Sequence, residues 1–266
     1  MSTDPAAVDP FLATAVDAVL KAGEIQLKHL GTGFRVSTKA GTDIVTEVDL
    51  EVETLVRAMI AERFPSHGVL AEETAEKLPS SGVTHRWLFD PIDGTVNYAH
   101  GLPIFCASLA LEVNGTIELG AVYDPSRREL FTAVRRRGAA LNDRPIQVSR
   151  VDRLEQAALG AGFPHGATAR VSAMERVFCE AAVRASAIRR LGSAALDLCN
   201  VACGRLDGFW DANLKPWDTA AGALIVQEAG GTVTGLDGGL FSCHAGHVMA
   251  TNGRLHGALR ELVSAF

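Results

Sequence analysis

The stretch Trp87-Leu88-Phe89-Asp90-Pro91-Ile92-Asp93-Gly94-Thr95 joins an apolar run to two acids. The run Trp87–Phe89 predicts a buried strand, and acids at the mouth of such a strand are costly to bury unless a positive group pairs with them. No lysine or arginine lies between Trp87 and Gly120, so a local salt bridge does not account for these acids. Asp, Pro and Gly are also common turn formers. The stretch alone therefore leaves two interpretations open, a turn and a metal site.

Length, charge and cysteine content narrow the class of protein. A chain of 266 residues can form one large domain or two closely packed lobes. The formal net charge of −6 argues against a general nucleic-acid binder, which is usually basic. Five cysteines without a short repeated spacing argue against a disulfide scaffold and fit a reducing compartment. We see neither a signal-peptide pattern nor an apolar stretch of membrane-spanning length, so we expect a cytoplasmic protein without membrane association.

Hydrophobic periodicity divides the chain into two differently patterned halves. The first half predicts helices over 7–30 and 46–64, short strands over 68–71 and 87–89, and a β meander over 103–141. From about residue 154, predicted strands and helices alternate. No repeat or low-complexity linker separates the halves. We therefore expect a single α/β domain over residues 1–266, with an α+β lobe at about 1–150 and an α/β lobe at about 151–266.

Carboxylates recur where predicted elements begin or end. Asp49 lies in the first turn of the second helix, Glu72 follows a strand, and Asp218 lies in the first turn of a helix that begins at Pro216. Each alone could be a cap or a turn residue. With Asp90 and Asp93 they form a set of five acids without a histidine or cysteine partner. Oxygen-only ligands select hard cations such as Mg²⁺ or Mn²⁺ over Zn²⁺.

A cation of this kind commonly binds together with a phosphate. Magnesium usually keeps several waters and shares its coordination shell with a substrate phosphate. If Gly94-Thr95 begins a helix, its backbone N–H groups point at an anion. A hard-metal site beside a phosphate seat suggests metal-assisted phosphoryl transfer to water.

Four motifs in the same order resemble those of the inositol monophosphatase family, and the resemblance covers nearly the whole chain. The segment from Asp90 to Thr95, followed by Asn97, is similar to the first family signature. The second signature resembles Trp217-Asp218-Thr219-Ala220-Ala221-Gly222, which runs into Glu228-Ala229-Gly230-Gly231. Two smaller family motifs resemble Glu72-Glu73 and the run from Asp43 to Asp49.

The resemblance implies a set of metal ligands. A first metal would be held by Glu72, Asp90 and the backbone carbonyl of Ile92. A second would be held by Asp90, Asp93 and Asp218, and a third, weaker one would share Glu72. The ions would be Mg²⁺, two to three for each active site, with Mn²⁺ as a possible substitute. Two cations about 4 Å apart can stabilise the attacking and the leaving oxygens of an in-line displacement.

The resemblance also implies catalytic and substrate contacts. Asp49 and Thr95 would position and deprotonate the attacking water, with Glu72 as a further catalytic acid. Gly94 and Thr95 would give their N–H groups to the phosphate, and Asp93 and Asp218 would border the substrate.

The alcohol part of the substrate would meet a second segment of the chain. Gly192-Ser193-Ala194 matches the family segment that touches the alcohol, while Ser193 is also a candidate helix N-cap. Asp211 stands where inositol-binding members often carry the longer glutamate, so direct recognition of hydroxyls is in question. Arg189 or Arg190 could face the pocket, and Lys39 matches a family lysine near the metal loop.

The fold and the activity follow as expectations from the resemblance. The family fold is a layered αβαβα sandwich of the sugar-phosphatase type, usually a homodimer, and lithium is a typical inhibitor. The expected reaction is Mg²⁺-dependent hydrolysis of a phosphorylated polyol, first of all myo-inositol 1-phosphate, to the alcohol and inorganic phosphate by a metal-activated water. Histidinol phosphate, fructose 1,6-bisphosphate and a nucleotide 3′-phosphate are alternative substrates. A different class of function is a regulatory protein that binds the transcription machinery through Arg135–Arg137 and Arg189-Arg190, although the acidic net charge makes nucleic-acid binding an unfavoured expectation.

Overall fold

The computed structural model describes residues 9–40, 43–74, 84–163 and 169–263. Its helices are α1 Pro10–His29, α2 Glu47–Arg63, α3 Thr95–Ala99, α4 Ala169–Arg184, α5 Ala194–Ala202, α6 Pro216–Glu228 and α7 His256–Val263. The strands of the first half are β1 Val36–Ala40, β2 Asp43–Thr46, β3 Gly68–Ala71, β4 His85–Asp93, β5 Cys106–Val113, β6 Thr116–Asp124, β7 Glu129–Val134, β8 Ala139–Leu141 and β9 Arg144–Pro145. The strands of the second half are β10 Ala158–Ala161, β11 Ala187–Arg189, β12 Gly208–Ala212, β13 Thr232–Thr234 and β14 His247–Thr251.

Two large sheets organise these elements. The first has seven strands in the order β3-β4-β5-β6-β7-β8-β9, with β3 and β4 parallel and the other neighbours antiparallel. The second has five strands in the order β11-β10-β12-β14-β13 and is mixed. The hairpin β1–β2 stands apart from both. The predicted meander is confirmed, and its strands pair with their sequence neighbours because short turns join them.

The helices lie in three layers around the two sheets. Helices α1 and α2 pack on one face of the seven-stranded sheet, and α5 and α6 lie between the sheets. Helices α4 and α7 cover the outer face of the five-stranded sheet. The middle helix α6 is buried on every side over residues 219–226, since a helix between two sheets has no polar face to present. The expected layered αβαβα sandwich is therefore confirmed.

Local sequence signals explain most element boundaries. Helix α2 begins at a capping box in which the Thr46 side chain accepts from the Asp49 N–H and the Asp49 carboxylate accepts from the Thr46 N–H, as its sequence predicts. Helix α6 begins at Pro216, the favoured first position. The short strands β9 and β13 were not predicted from the sequence. The side chain of Lys39 and the last three residues of the predicted final helix lie outside the described residues.

Candidate active site

The parallel pair β3–β4 brings two acidic loop ends together. Ala71 of β3 pairs with Phe89 of β4. Glu72 and Asp90 each come one residue later, so the two acids lie at the same end of the sheet. Strand β4 runs to Asp93 rather than stopping at Phe89, and its pairing with β5 shifts register between Asp90 and Asp93. Such a bulge re-aims side chains. The register therefore brings the acids that follow two neighbouring strands to the same end of the sheet.

The loop between the two acids of β4 is fixed by internal hydrogen bonds. The Ile92 N–H donates to Oδ1 of Asp90 at 2.9 Å. The fully buried Gln26 of α1 donates from Nε2 to the carbonyl oxygen of Pro91 at 2.7 Å. The Ile92 side chain is also fully buried. This residue is anchored in the core, which is why an apolar side chain can stand between two acids.

Asp49 reaches the same place from the start of α2. It is fully buried, and its Oδ2 accepts from the Thr46 N–H at 2.8 Å and the Thr46 hydroxyl at 2.5 Å. Its other oxygen, Oδ1, lies 3.5 Å from the hydroxyl of Thr95. The Thr95 hydroxyl also lies 2.8 Å from the carbonyl oxygen of Ile92. A hydroxyl has one proton, so the shorter contact to Ile92 takes it in this structure.

Gly94 occupies a position that only glycine fits. Its φ is +97°, in the left-handed region, and a Cβ there would lie 2.8 Å from the carbonyl oxygen of Ile104. The residue precedes α3, so the conditional prediction that Gly94-Thr95 begins a helix is confirmed, although this helix has only five residues.

Asp93 accepts three hydrogen bonds from the segment that begins α5. Its Oδ2 accepts from the Ser193 hydroxyl at 2.6 Å and from the Ala195 N–H at 2.7 Å, and its Oδ1 accepts from the Ala194 N–H at 3.3 Å. Ser193 is also the N-cap of α5, because its Oγ accepts from the Leu196 N–H at 3.4 Å. The N-cap prediction is thus confirmed. The Ser193 hydroxyl is buried against Asp93 here, and its contact with an alcohol stays a prediction, as does that of Gly192 and Ala194.

Asp218 enters from the first turn of α6. Its Oδ2 accepts from the Lys215 N–H at 2.7 Å, which fixes the side chain at the start of the helix. The segment before it is held to the first sheet, since the Ser108 hydroxyl of β5 donates to the carbonyl oxygen of Trp217 at 3.2 Å. Asp218 therefore joins the acids of β4 from the layer between the two sheets.

Burial and the charges of neighbouring acids raise the pKa values of Asp90, Asp93 and Asp218. Burial, then the Glu72 charge, followed by those of Asp93, Asp218 and Asp49, raises the pKa of Asp90 well above its ordinary value. Burial and the Asp93 charge do the same to the pKa of Asp218. Burial raises the pKa of Asp93 to about 6, although the bonds from Ser193 and the α5 backbone oppose it.

These acids suit a divalent cation. Neither Asp90 nor Asp93 makes an ion pair with a described lysine or arginine. Among the described residues, no three carboxylates of this site have ligand oxygens all within 4.8 Å of one another. Like charges that are buried close to one another favour the binding of a cation from solution. The donors are all oxygens, which fits Mg²⁺.

Asp211 lies beside the acids at the end of β12. It is 8% exposed, and burial raises its pKa to about 7, while the Ala212 N–H and the Arg190 charge oppose that rise. Gly162 makes room for it: a Cβ at Gly162 would lie 1.7 Å from Oδ2 of Asp211.

The exposed Arg190 stacks over the ring of Phe163 at 5.5 Å. Of the two arginines considered for the pocket, the structure places the charge of Arg190 near Asp211, whereas Arg189 bonds the carbonyl oxygen of Ile188.

Asn97 and Gln26 hold parts of the site in position, and the sequence predicted this role for neither. The Asn97 side chain donates at 2.8 Å to the carbonyl oxygens of both Ile104 and Leu191, which ties the β4 loop to the segment before α5. Gln26 holds Pro91, as described above. A signal for Gln26 was present in the sequence. This polar residue lies on the same helical stripe as the buried, apolar Ala15, Val19 and Ala22.

Comparisons with known proteins agree with this fold and site. A model of the inositol monophosphatase family matches residues 7–265. The inositol-1-monophosphatase of Synechocystis sp. is 39% identical over 262 residues, which cover 98% of this chain and 91% of that protein. A putative Nus factor SuhB of Neisseria meningitidis serogroup B is 37% identical over 260 residues, covering 97% of this chain and 99% of that protein. The crystal structure of the extragenic suppressor protein suhB from Bartonella henselae matches with a TM-score of 0.92 at 38% identity, covering 96% of this chain and 98% of that one.

The layered fold, the acidic site and these matches define a metal-dependent phosphatase, a phosphoric monoester hydrolase. The chain belongs to the inositol monophosphatase family. None of the described helices is long and apolar enough to cross a membrane.

Proposed function

We propose that this protein hydrolyses a small phosphorylated polyol in the presence of Mg²⁺, with myo-inositol 1-phosphate as the first candidate substrate. The observation that carries the proposal is the group of buried acids with raised pKa values, in which neither Asp90 nor Asp93 pairs with a lysine or arginine of the described residues. A site of this kind gains stability by taking up divalent cations together with a phosphate dianion.

The metal ligands we propose are Glu72, Asp90, Asp93, Asp218 and the carbonyl oxygen of Ile92. Bound Mg²⁺ supplies positive charge that polarises the phosphate and stabilises the charge developing on its oxygens. Ser193 and the N–H groups at the start of α5 orient the carboxylate of Asp93, as partners of metal ligands commonly do. The hydrogen bond from the Ile92 N–H fixes Asp90 in the same way.

Thr95 and Asp49 are the proposed proton acceptor system for the attacking water. The Thr95 hydroxyl has two acceptors, the Ile92 carbonyl at 2.8 Å and Asp49 Oδ1 at 3.5 Å. Rotation of the hydroxyl towards Asp49 frees its oxygen to accept a proton from water while its own proton moves towards a buried carboxylate. Thr46 donates its N–H and its hydroxyl to Oδ2 of Asp49, so the contact with Thr95 is made by the other oxygen, Oδ1. Glu72 is the third residue that we propose takes part in catalysis.

The phosphate and the alcohol are proposed to lie on different elements. The N–H groups of Gly94 and Thr95 bind phosphate oxygens, beside Asp93 and Asp218. The segment Gly192–Ala194 and Asp211 face the alcohol. Because the pKa of Asp211 is raised to about 7, this side chain can donate or accept a hydrogen bond near neutral pH.

The test is a phosphate-release screen over phosphorylated metabolites with Mg²⁺ present. We expect turnover of a polyol phosphate that stops on chelation and returns when Mg²⁺ is restored. The Asp93→Asn protein should lose several orders of magnitude in kcat/KM, because a ligand charge is removed from the transition-state environment. The exposed Asp152→Asn protein is the matched control and should retain its activity. Activity that survives chelation, or an Asp93→Asn protein that turns over normally, would contradict the proposal.

The identity of the alcohol is a finer question within the same chemistry. Histidinol phosphate, fructose 1,6-bisphosphate and a nucleotide 3′-phosphate compete with inositol phosphate, because Asp211 is one methylene shorter than glutamate. Values of kcat/KM measured side by side on these phosphates decide the order. We also propose the homodimer and the lithium inhibition that the family resemblance implies. Light scattering and a lithium titration under turnover test them.

A second candidate function is regulatory, and the naming of a 37% identical relative as a putative Nus factor favours it. Arg136, Arg137 and Arg189 are exposed and could contact a partner, whereas Arg135 donates to the carbonyl oxygen of Ile117 at 2.7 Å. Retention of transcription factors on the immobilised protein at moderate salt would support this role. Loss of that retention in an Arg136→Ala/Arg137→Ala protein would locate the contact.

A further inference from the structure

A second group of metal-ligating side chains lies outside the active site. It consists of Glu112 in β5 and of Cys243 and His244, which begin the short 3₁₀ helix Cys243–Ala245. One ligand atom from each of these three residues lies within 4.8 Å of the other two, and among the described residues this is the one group of its kind. Glu112 and Cys243 are each 6% exposed, and the side chain of His244 is 43% exposed. We call these three residues the Glu-Cys-His cluster.

The Glu-Cys-His cluster is remote from the catalytic acids. Strand β5 begins at Cys106, which pairs with Asp93, and Glu112 lies near its other end, where it pairs with Arg86. At about 3.3 Å of rise for each strand residue, six residues separate the two places by about 20 Å. The cluster is therefore not an extension of the phosphatase site.

We infer that the Glu-Cys-His cluster is a binding site for Zn²⁺. Thiolate, imidazole and carboxylate are the ligands of zinc proteins, whereas the oxygen-only acids of the active site suit magnesium. Three protein ligands leave a fourth tetrahedral position, and the exposed side of His244 leaves room for a water there. Binding displaces the proton of the Cys243 thiol into solvent, since zinc takes the thiolate.

The present positions of the side chains are close to those that zinc requires. Zinc bonds of about 2.0 to 2.3 Å at tetrahedral angles place ligand atoms roughly 3.3 to 3.8 Å apart. Nε2 of His244 lies 2.9 Å from Oε1 of Glu112, so these two need to separate by about half an ångström. The Cys243 sulfur lies within 4.8 Å of one ring nitrogen of His244 and one carboxylate oxygen of Glu112, so it needs to approach these atoms by at most about 1.5 Å, which side-chain rotation can supply.

Arg86 supports this arrangement from the neighbouring strand. Its Nη1 lies 3.6 Å from Oε2 of Glu112, the carboxylate oxygen that does not face His244. Arg86 therefore holds one oxygen and turns the other towards the place of the metal. A partner of this kind orients a metal ligand from behind. The arginine also balances the negative charge of Glu112 when no metal is bound.

A metal at the Glu-Cys-His cluster would join two parts of the fold. Glu112 belongs to the seven-stranded sheet, and Cys243–Ala245 precede β14 of the five-stranded sheet. The ion would then fasten strand β5 of the first sheet to the segment that precedes β14 of the second. Because an ion that binds only the folded state stabilises it, zinc should raise the Tm of the protein.

The decisive measurement is cobalt substitution in protein kept at saturating Mg²⁺. Co²⁺ bound to a thiolate gives a near-ultraviolet charge-transfer band, which oxygen ligands do not give. We expect this band in the wild type, its loss in Cys243→Ser, and at least tenfold weaker binding in His244→Asn, whose replaced side chain is partly exposed and is not needed for the core. Cys179→Ser is the matched control, because Cys179 is an exposed free thiol, and it should keep the band.

Zinc content gives an independent reading on the same proteins. The wild type and Cys179→Ser should retain one zinc more for each chain than Cys243→Ser does. The opposing interpretation is a plain hydrogen bond between His244 and Glu112 with no role for the thiol. Absence of the cobalt band in the wild type, or equal zinc content in all variants, would establish that interpretation and overturn the zinc site.

Discussion

Replacing Asp93 by asparagine should stabilise the metal-free protein at alkaline pH, although the same change should abolish catalysis. Burial raises the pKa of this carboxyl from 3.8 to about 6, so keeping it ionised in the folded state opposes folding. At 1.36 kcal/mol for each pH unit, the difference corresponds to about 3 kcal/mol. Asparagine has nearly the same shape, carries no charge and can still accept the hydrogen bond from Ser193.

The sign of the pH dependence follows from the same pKa. In the folded protein the Asp93 carboxyl keeps its proton at higher pH than in the unfolded chain. Its contribution to stability is therefore fully present below pH 3.8 and is lost as pH rises through about 6. The advantage of Asp93→Asn over the wild type should be small at about pH 4 and should reach its full size, up to about 3 kcal/mol, above about pH 7.

Urea denaturation of chelator-treated proteins at several pH values measures this difference. The matched control is Asp124→Asn. Asp124 is 1% exposed, but its Oδ2 pairs with Nη1 of Arg127 at 2.6 Å, so losing its charge should destabilise the fold. Added Mg²⁺ should then reverse the order of the wild type and Asp93→Asn, because only the wild type keeps all its ligands. An Asp93→Asn protein that is less stable than the wild type above pH 7 without metal would refute the electrostatic reasoning.

Two further changes, each with a matched control, test the surroundings of the acids. Ser193→Ala removes the 2.6 Å bond to Asp93 and should weaken Mg²⁺ binding about 10- to 100-fold, read from the Mg²⁺ dependence of turnover. Ser149→Ala removes a similar bond, to the buried Asp207, and should leave that dependence unchanged. Gly94→Ala should cost about 1 to 3 kcal/mol of stability and most of the activity, since its φ is +97° and its Cβ would meet a backbone oxygen at 2.8 Å. Gly31→Ala has a similar φ of +75° with nothing within 4 Å, so it should show the smaller strain cost alone, with turnover intact.

Much of the fold could be predicted because its signals are local. The capping box at Thr46, the proline at the start of α6 and the meander turns each act over a few residues. The strands β9 and β13 have only two and three residues, too few for an alternation to be read. Their pairing depends on neighbours that are distant in sequence. Tertiary context, not local preference, makes them strands.

The candidate site, too, could be predicted from the sequence only in part. The acids could be found from their places at element ends, and the family resemblance supplied their expected roles. The residues that support the acids could not be found, because Asp93 and Ser193 are 100 residues apart and meet only when folding brings the start of α5 to the end of β4. A serine before a helix has a sufficient local explanation as an N-cap. Nothing in the sequence says that the same hydroxyl also bonds a carboxylate.

Acids without a basic neighbour in the sequence were the feature that indicated the metal site most clearly. Asp124, a buried acid that does have a basic neighbour, provides a comparison within the same chain. Asp124 at the end of β6 is as buried as Asp90, and Arg127 three residues later pairs with it. Asp90 and Asp93 have no such partner among the described residues, and burial raises the pKa of both. An arginine beside them would stabilise the fold but would occupy the place of the cations. The missing positive charge therefore costs stability in the metal-free protein and is the condition for binding Mg²⁺ together with a phosphate.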